Sequence, residues 1–368
     1  MSNKKKVMEI FGTRPEAIKM APLIKAIEKE ESFESVVVVT AQHREMLDQV
    51  LELFEIIPKY DLNIMRNGQT LTDVTTHILQ ELGTIISEEK PDIILVHGDT
   101  TTTIATSLSA FYHQVKIGHV EAGLRTWDKY SPFPEEVNRQ LTDILSDIYF
   151  APTEQSKENL LAENHKAENI FVTGNTAIDA MKYTISKDRT EKYKLDFKDK
   201  RIVLVTMHRR ENLGTSMMNV FQAINRLVEK HQDIQVIFPI HKNPKVRQRA
   251  EEFLVKVDRI KIIEPLDVID FHNLMNQAHI IMTDSGGIQE EAPSLGIPVL
   301  VLRDATERPE GVTAGTLRLV GTEENNVFQA ADELLINDRE YKKMTNASNP
   351  YGDGRASNRI INVLKKIL

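Results

Sequence analysis

At 368 residues, the chain is too long for one ordinary hydrophobic core, so two domains are expected. Hydrophobic residues at 41% and charged residues at 27% describe a soluble globular protein, and a formal charge of −8 argues against a broad nucleic-acid or anionic-membrane surface, since each needs a basic face. The lack of cysteine excludes disulfides, thiolate nucleophiles and cysteine-based metal sites; Glu9 and Arg14 interrupt any signal-peptide core and no apolar run approaches a membrane span, so a cytoplasmic enzyme is expected.

Short apolar runs alternate with amphipathic stretches, the pattern of βαβ units around a parallel sheet. Val7–Gly12, Ser35–Thr40, Asp92–Val96, Val115–Val120, Asp147–Ala151 and Ile170–Thr173 are expected as strands. Several are almost continuously apolar, as strands covered on both faces should be. Met20, Leu23, Ile24 and Ile27 mark one face of a helix, which Pro22 is expected to bend. Near Thr190–Lys200 the chain turns polar and charged, with no apolar period. The alternation then restarts through Ile202–Met207, Ile234–Ile240, Ile260–Ile263, Ile280–Thr283, Val299–Leu302 and Leu317–Val320, and Ala356–Leu368 closes the chain as a short amphipathic helix. Two runs of about six strands, split by a polar stretch, predict two Rossmann-like doubly wound α/β domains rather than one barrel.

Ligands of open parallel sheets bind beyond the carboxyl ends of the strands. Nearly all the unusual polar clusters fall there. Gly12-Thr13-Arg14-Pro15-Glu16, Gln42-His43-Arg44, Gly98-Asp99-Thr100 and Glu121-Ala122-Gly123-Leu124-Arg125 follow strands of the first half. His208-Arg209-Arg210-Glu211, His241-Lys242 and Asp284-Ser285-Gly286-Gly287 follow strands of the second. Each also has a purely structural reading. Thr13 and Glu16 have capping-box spacing, and Asp99 before a threonine run has the place of an N-cap. Glu135 and Glu136 follow Pro134 at a helix start, where the dipole favours carboxylates. A strand-end histidine such as His208 or His241 is often just a satisfied polar residue. The collective pattern weighs the other way: three acidic sites from one half and a His-Arg-Arg group from the other would converge on one cleft.

Ser285-Gly286-Gly287 carries the phosphate signal, since two glycines between strand and helix let backbone amides approach an anion. The alternative is a tight turn without a ligand. Glu290 and Glu291 are too acidic to hold phosphate, and one of them suits ribose hydroxyls instead. The first turn lacks the Gly-x-Gly-x-x-Gly fingerprint, which disfavours a dehydrogenase.

With these segments the sequence resembles the non-hydrolysing UDP-N-acetylglucosamine 2-epimerases along nearly its whole length. The resemblance rests on Phe11–Lys19, His97–Thr100, His119–Thr126, Pro134–Arg139, His208–Glu211, Thr283–Glu291, Arg303-Asp304 and Thr306–Glu310. It implies a glycosyltransferase-B architecture, with residues 1–178 as the domain of the acid/base carboxylates, 179–354 as the UDP-binding domain, and 355–368 returning to the first. It also implies no metal, no nicotinamide and no other cofactor, a homodimer, and UDP-N-acetylglucosamine and UDP as partners. In such enzymes UDP is eliminated across carbons 1 and 2 to give 2-acetamidoglucal, then re-adds with protonation of carbon 2 on the opposite face.

Removing the carbon 2 proton needs a base and returning one from the other face needs an acid, so more than one carboxylate is required. By resemblance, Asp99, Glu121 and Glu135 are those groups. Arg14, Lys19, His208 and the Ser285, Gly286 and Gly287 amides would stabilise departing UDP. Glu291 would hold ribose, Arg308 would lie near the sugar or diphosphate, and Phe271 would line the uracil pocket. Some relatives are activated by a second substrate molecule, which Gln42, His43, Arg209 and His241 would bind here. Two departures from relatives matter, the first for the uracil contact and the second for activation. Leu266 stands where some relatives have Gln, and Gly68 stands where some have Arg, with Arg66 two residues earlier. A hydrolysing 2-epimerase, a glycosyltransferase of the same fold and a non-catalytic nucleotide-sugar sensor are the competing expectations.

Overall fold

The computed structural model describes residues 4–41, 44–66, 68–185 and 200–368, which divide into two compact units, residues 1–180 with 351–368 and residues 181–350. The first unit runs β1 (Lys5–Phe11), α1 (Arg14–Glu28), β2 (Phe33–Val39), α2 (Arg44–Leu53), β3 (Tyr60–Asp61), α3 (Leu71–Glu89), β4 (Ile93–His97), α4 (Thr101–Tyr112), β5 (Lys116–Val120), α5 (Glu135–Leu145), β6 (Ile148–Ala151), α6 (Glu154–Ala162), β7 (Ile170–Val172) and α7 (Thr176–Thr184). Its seven strands are all parallel, in the order β3-β2-β1-β4-β5-β6-β7.

Period-2 alternation explains the continuous apolar runs. In β1 and β2, Val7, Phe11, Val37 and Val39 join one core with α1, while Met8, Ile10, Val36 and Val38 join another with α3. Pro22 does not end α1, which continues to Glu28 with Pro22 buried in the core-facing stripe. The last helix, α15 (Ala356–Ile367), follows the second unit in sequence but packs Ile360, Ile361, Val363 and Leu364 into the core of the first. Asp179 fastens its start by accepting from the amides of Ala356 and Ser357 at 3.0 and 2.9 Å.

The second unit runs β8 (Arg201–Thr206), α8 (Thr215–Lys230), β9 (Ile234–Pro239), α9 (Pro244–Phe253), β10 (Ile260–Ile263), α10 (Val268–Met275), β11 (Ala278–Thr283), α11 (Gly286–Glu291), β12 (Val299–Val301), α12 (Pro309–Ala314), β13 (Leu317–Leu319), α13 (Glu324–Ile336) and α14 (Asp338–Thr345). Its parallel sheet has the order β10-β9-β8-β11-β12-β13. In both sheets the strand order reverses beside the first strand, between β1 and β4 and between β8 and β11, which is the doubly wound arrangement expected. The expected polar stretch at Thr190–Lys200 lies outside the described residues except for Lys200. No helix among the described residues is long and apolar enough to cross a membrane.

Candidate active site

The turn after β1 is built for close packing. Thr13 caps α1, and Glu16 Oε2 accepts from the amides of Gly12 and Thr13 at 3.1 and 2.8 Å, so the capping box is real. A Cβ on Gly12 would lie 2.0 Å from Thr40 Oγ1, which leaves the turn no room for any other residue. The helix then presents Arg14 at its first position and Lys19 in its second turn. Arg14 is half-buried and makes no ion pair among the described residues.

Lys19 reaches Glu121. Its Nζ lies 2.5 Å from Glu121 Oε2, Asn175 Nδ2 donates to the same oxygen at 3.0 Å, and His97 Nε2 is 3.5 Å away. Burial pushes the Glu121 carboxyl up, but Lys19 and His97 outweigh it and hold the group well below the usual carboxylate range. Glu121 is therefore an anion at neutral pH. It also sits at φ 68°, a left-handed conformation that costs a non-glycine residue free energy and gathers at functional sites.

Asp99 is not the N-cap that its position suggests. Thr100 caps α4, accepting from the Thr103 amide at 3.1 Å and donating to Glu16 Oε1 at 2.7 Å. The Asp99 side chain is thus left for other work. Arg139 Nη2 donates to its Oδ2 at 2.6 Å, and Asn138 Nδ2 donates to its carbonyl at 2.9 Å. A Cβ built on Gly98 would lie 3.9 Å from Glu121 Oε1, so the Glu121 carboxylate borders the turn that carries Asp99.

The pair at the start of α5 divides cleanly. Glu136 is fully buried and accepts from the amides of Thr126 and Trp127, both at 3.0 Å, and from Gln140 Nε2 at 2.9 Å. It is a structural carboxylate. Glu135 is half-buried with no hydrogen bond or ion pair among the described residues. It stands three and four positions before Asn138 and Arg139, on the helix face that those residues turn to Asp99. The structure thus brings Asp99, Glu121 and Lys19 together, with Glu135 at the start of the helix whose Asn138 and Arg139 hold Asp99.

Behind this group lies a buried ionic chain. The His119 ring spans Asp143 Oδ1 at 2.6 Å and the Gly98 carbonyl at 2.7 Å, while Arg125 Nη2 donates to Asp143 Oδ2 at 2.6 Å. Arg139, Asn138, Asn175 and Asp143 were not legible as site residues in the sequence. Asn138 and Arg139 end the segment Pro134–Arg139 that carries the resemblance, and Asn175 has a strand-end position just after β7, but neither signal assigned them a role.

In the second unit, β8 and β11 deliver His208 and Ser285. Asp284, fully buried, accepts from the amides of His208 and Arg209 at 3.0 and 2.9 Å and from Asn212 Nδ2 at 3.0 Å. Burial pushes Asp284 up, yet the His208 side chain, the Arg209 amide and Asn212 hold it below the usual range. The His208 ring stacks on His241 with centroids 5.5 Å apart and 21° between planes. Burial and His208 both depress the pKa of His241, which favours its neutral form.

Gly286 is flanked by two guanidiniums. A Cβ there would lie 3.7 Å from Arg308 Nη2 and 3.9 Å from Arg209 Nη2. Gly287 follows, exposed, in the first turn of α11. Arg308 is paired with Glu290, and Arg209 Nη1 lies 3.4 Å from Glu307 Oε1. Of the two acidic neighbours, Glu290 is buried against Arg308, while Glu291 is half-buried with its Oε2 3.5 Å from His272 Nε2. Phe271, half-buried in α10, packs with Leu266 against the core of this unit. Gln42 and His43 lie outside the described residues, and no three His, Asp or Glu side chains among the described residues gather as a metal site.

A family model described as UDP-N-acetylglucosamine 2-epimerase matches residues 25–365. A Bacillus subtilis protein named UDP-N-acetylglucosamine 2-epimerase is 59% identical over 361 residues, covering 98% of this chain and 95% of its own. A solved structure from Listeria monocytogenes superposes with a TM-score of 0.95 at 56% identity, covering 99% of this chain and 96% of its own. The structure of a Neisseria meningitidis UDP-GlcNAc 2-epimerase bound to UDP-GlcNAc gives a TM-score of 0.86 at 50% identity, covering 98% of this chain and 100% of its own.

Proposed function

Because the chain belongs to the UDP-N-acetylglucosamine 2-epimerase family, we propose that it interconverts UDP-N-acetylglucosamine and UDP-N-acetylmannosamine without net hydrolysis. The observation that carries this reading is the carboxylate group of the first unit, with Glu121 bordering the turn of Asp99 and Asp99 held by Arg139 of the helix that Glu135 begins. In the proposed reaction a carboxylate takes the proton from carbon 2, the C–H electrons form the carbon 1–carbon 2 double bond, and the carbon 1–oxygen bond breaks onto UDP. Re-addition of UDP with protonation on the other face completes the inversion.

Two demands follow. The carboxylates must differ in protonation, and the departing diphosphate must meet positive charge. Lys19 and His97 keep Glu121 ionised through its Oε2, Arg139 faces Asp99 Oδ2, and Glu135 has no ion pair among the described residues. Arg14, His208, Arg209 and Arg308 supply cationic or donor groups, and the Gly286 backbone between two guanidiniums suits an anion that approaches closely. Glu291 and Phe271 are assigned to ribose and uracil. The reading includes a homodimer, which the exposed Phe111 and Tyr112 of α4 and Leu141 and Ile144 of α5 support.

Incubating the protein with UDP-N-acetylglucosamine alone tests the proposal. The expected result is an equilibrium mixture of two UDP-sugars with the diphosphate intact. Stoichiometric free UDP with N-acetylmannosamine would show a hydrolysing enzyme, and turnover only with an added acceptor would show a transferase.

A further inference from the structure

Resting on the proposed epimerisation, we infer that Asp284 is a positioning residue that acts through His208, fixing its ring for the departing diphosphate. Asp284 sits at the end of β11, one residue before the Ser285–Gly287 turn, and is completely buried. A carboxylate there is tolerable only if its lone pairs are used. They are: the His208 and Arg209 amides and Asn212 Nδ2 donate to it at 3.0, 2.9 and 3.0 Å, and His208 Nδ1 lies 3.2 Å from Oδ1.

Scaffolding alone would not need the last of these. The amide bonds already tie the segment after β8 to β11, and Asn212 adds a second tie by donating to the Leu302 carbonyl at 3.3 Å. The contact to Nδ1 engages a side chain that is otherwise 42% exposed. With Nδ1 turned to a carboxylate, the proton of a neutral His208 belongs on Nδ1 and Nε2 is the nitrogen left for a ligand. The stacked His241 ring restricts rotation about the same axis, and its own Nδ1 accepts from the Asn243 amide at 3.1 Å. One buried carboxylate therefore sets the direction of the histidine beside the turn proposed to hold diphosphate.

Asp284→Asn tests this contact, because an amide oxygen in the place of Oδ2 still accepts from the His208 and Arg209 amides and Asn212 Nδ2 while the anion facing Nδ1 is lost. For the parent protein, kcat should fall about 10–100-fold with KM for UDP-N-acetylglucosamine changed only a few-fold, since the interaction strengthens as charge develops on the leaving group. In a His208→Ala background the same change should cost less than about threefold. Calorimetric titration of UDP through the same four proteins reads the coupling without turnover, so it stays informative if the parent proves not to be an epimerase. Equal losses in both backgrounds, or none in either, would overturn the inference. A second measurement on the unaltered protein covers a variant that does not fold. Nitrogen NMR of labelled histidine at alkaline pH, with the His208 signals assigned by their loss in His208→Ala, should show the proton on Nδ1; a proton on Nε2 would overturn the inference as well.

Discussion

Glu9 and Glu121 both have carboxyl groups withdrawn from water in the first unit, and their surroundings push them in opposite directions. Glu9 lies on β1 between Val7 and Phe11, with Ser35 Oγ donating to Oε2 at 2.9 Å and no partner for Oε1 among the described residues. Burial raises its pKa to about 8, so the folded protein holds a proton there that the unfolded chain releases near pH 4.5. Because the folded value is the higher, stability is lost as pH rises from about 4.5 to about 8. Glu9→Gln should remove that slope and stabilise the fold at pH 8 by a few kcal/mol, measured by denaturant unfolding across pH. Glu121, ionised by Lys19, is proposed to share the acid/base work with Asp99 and Glu135. Asp99→Asn, Glu121→Gln and Glu135→Gln should each lower kcat by roughly 10²–10⁴ while leaving UDP affinity largely intact. Near-normal turnover in all three would refute their assignment. Sequence could nominate these carboxylates but could not sort them. Whether Asp99 caps a helix depended on a hydroxyl one residue later, and whether Glu135 or Glu136 is structural depended on the loop at Thr126-Trp127 folding back onto one of them.

Among the elements, long apolar strands were legible and short edges were not. Strands buried on both faces have no alternative use for a run such as Ser35–Thr40, which the structure extends back to Phe33. The two-residue β3 shows no periodicity to read; its existence depends on β2 offering Val38 and Val39 as partners. Pro22 lies buried within the continuous helix α1. The glycine turns after β1 and β11 look alike in sequence but do different work. Gly12 fills a space closed by Thr40 and Thr102, so Gly12→Ala should lower thermal stability by about 1–3 kcal/mol. Gly286 has its nearest atoms at 3.7 Å, so Gly286→Val should melt close to the parent while UDP affinity drops steeply. Unchanged calorimetric UDP binding by folded Gly286→Val would remove the diphosphate role from this turn.

At the scale of the molecule, the doubly wound sheets were legible because strand alternation and strand-end polar clusters agreed along the whole chain. Phe111 of α4 and Ile144 of α5 are exposed, and the proposed homodimer would use them. Their exposure leads to a prediction: Phe111→Asp combined with Ile144→Asp should shift the protein from dimer to monomer in sedimentation velocity, and an unchanged coefficient would remove this face from the interface. The proposed reaction requires carbon 2 to lose its proton during turnover. Proton NMR of the enzyme with UDP-N-acetylglucosamine in heavy water tests it most directly. The account predicts that the carbon 2 proton signal disappears from both UDP-sugars as the mixture equilibrates, with deuterium at that carbon. Formation of UDP-N-acetylmannosamine with its original proton retained at carbon 2 would contradict it.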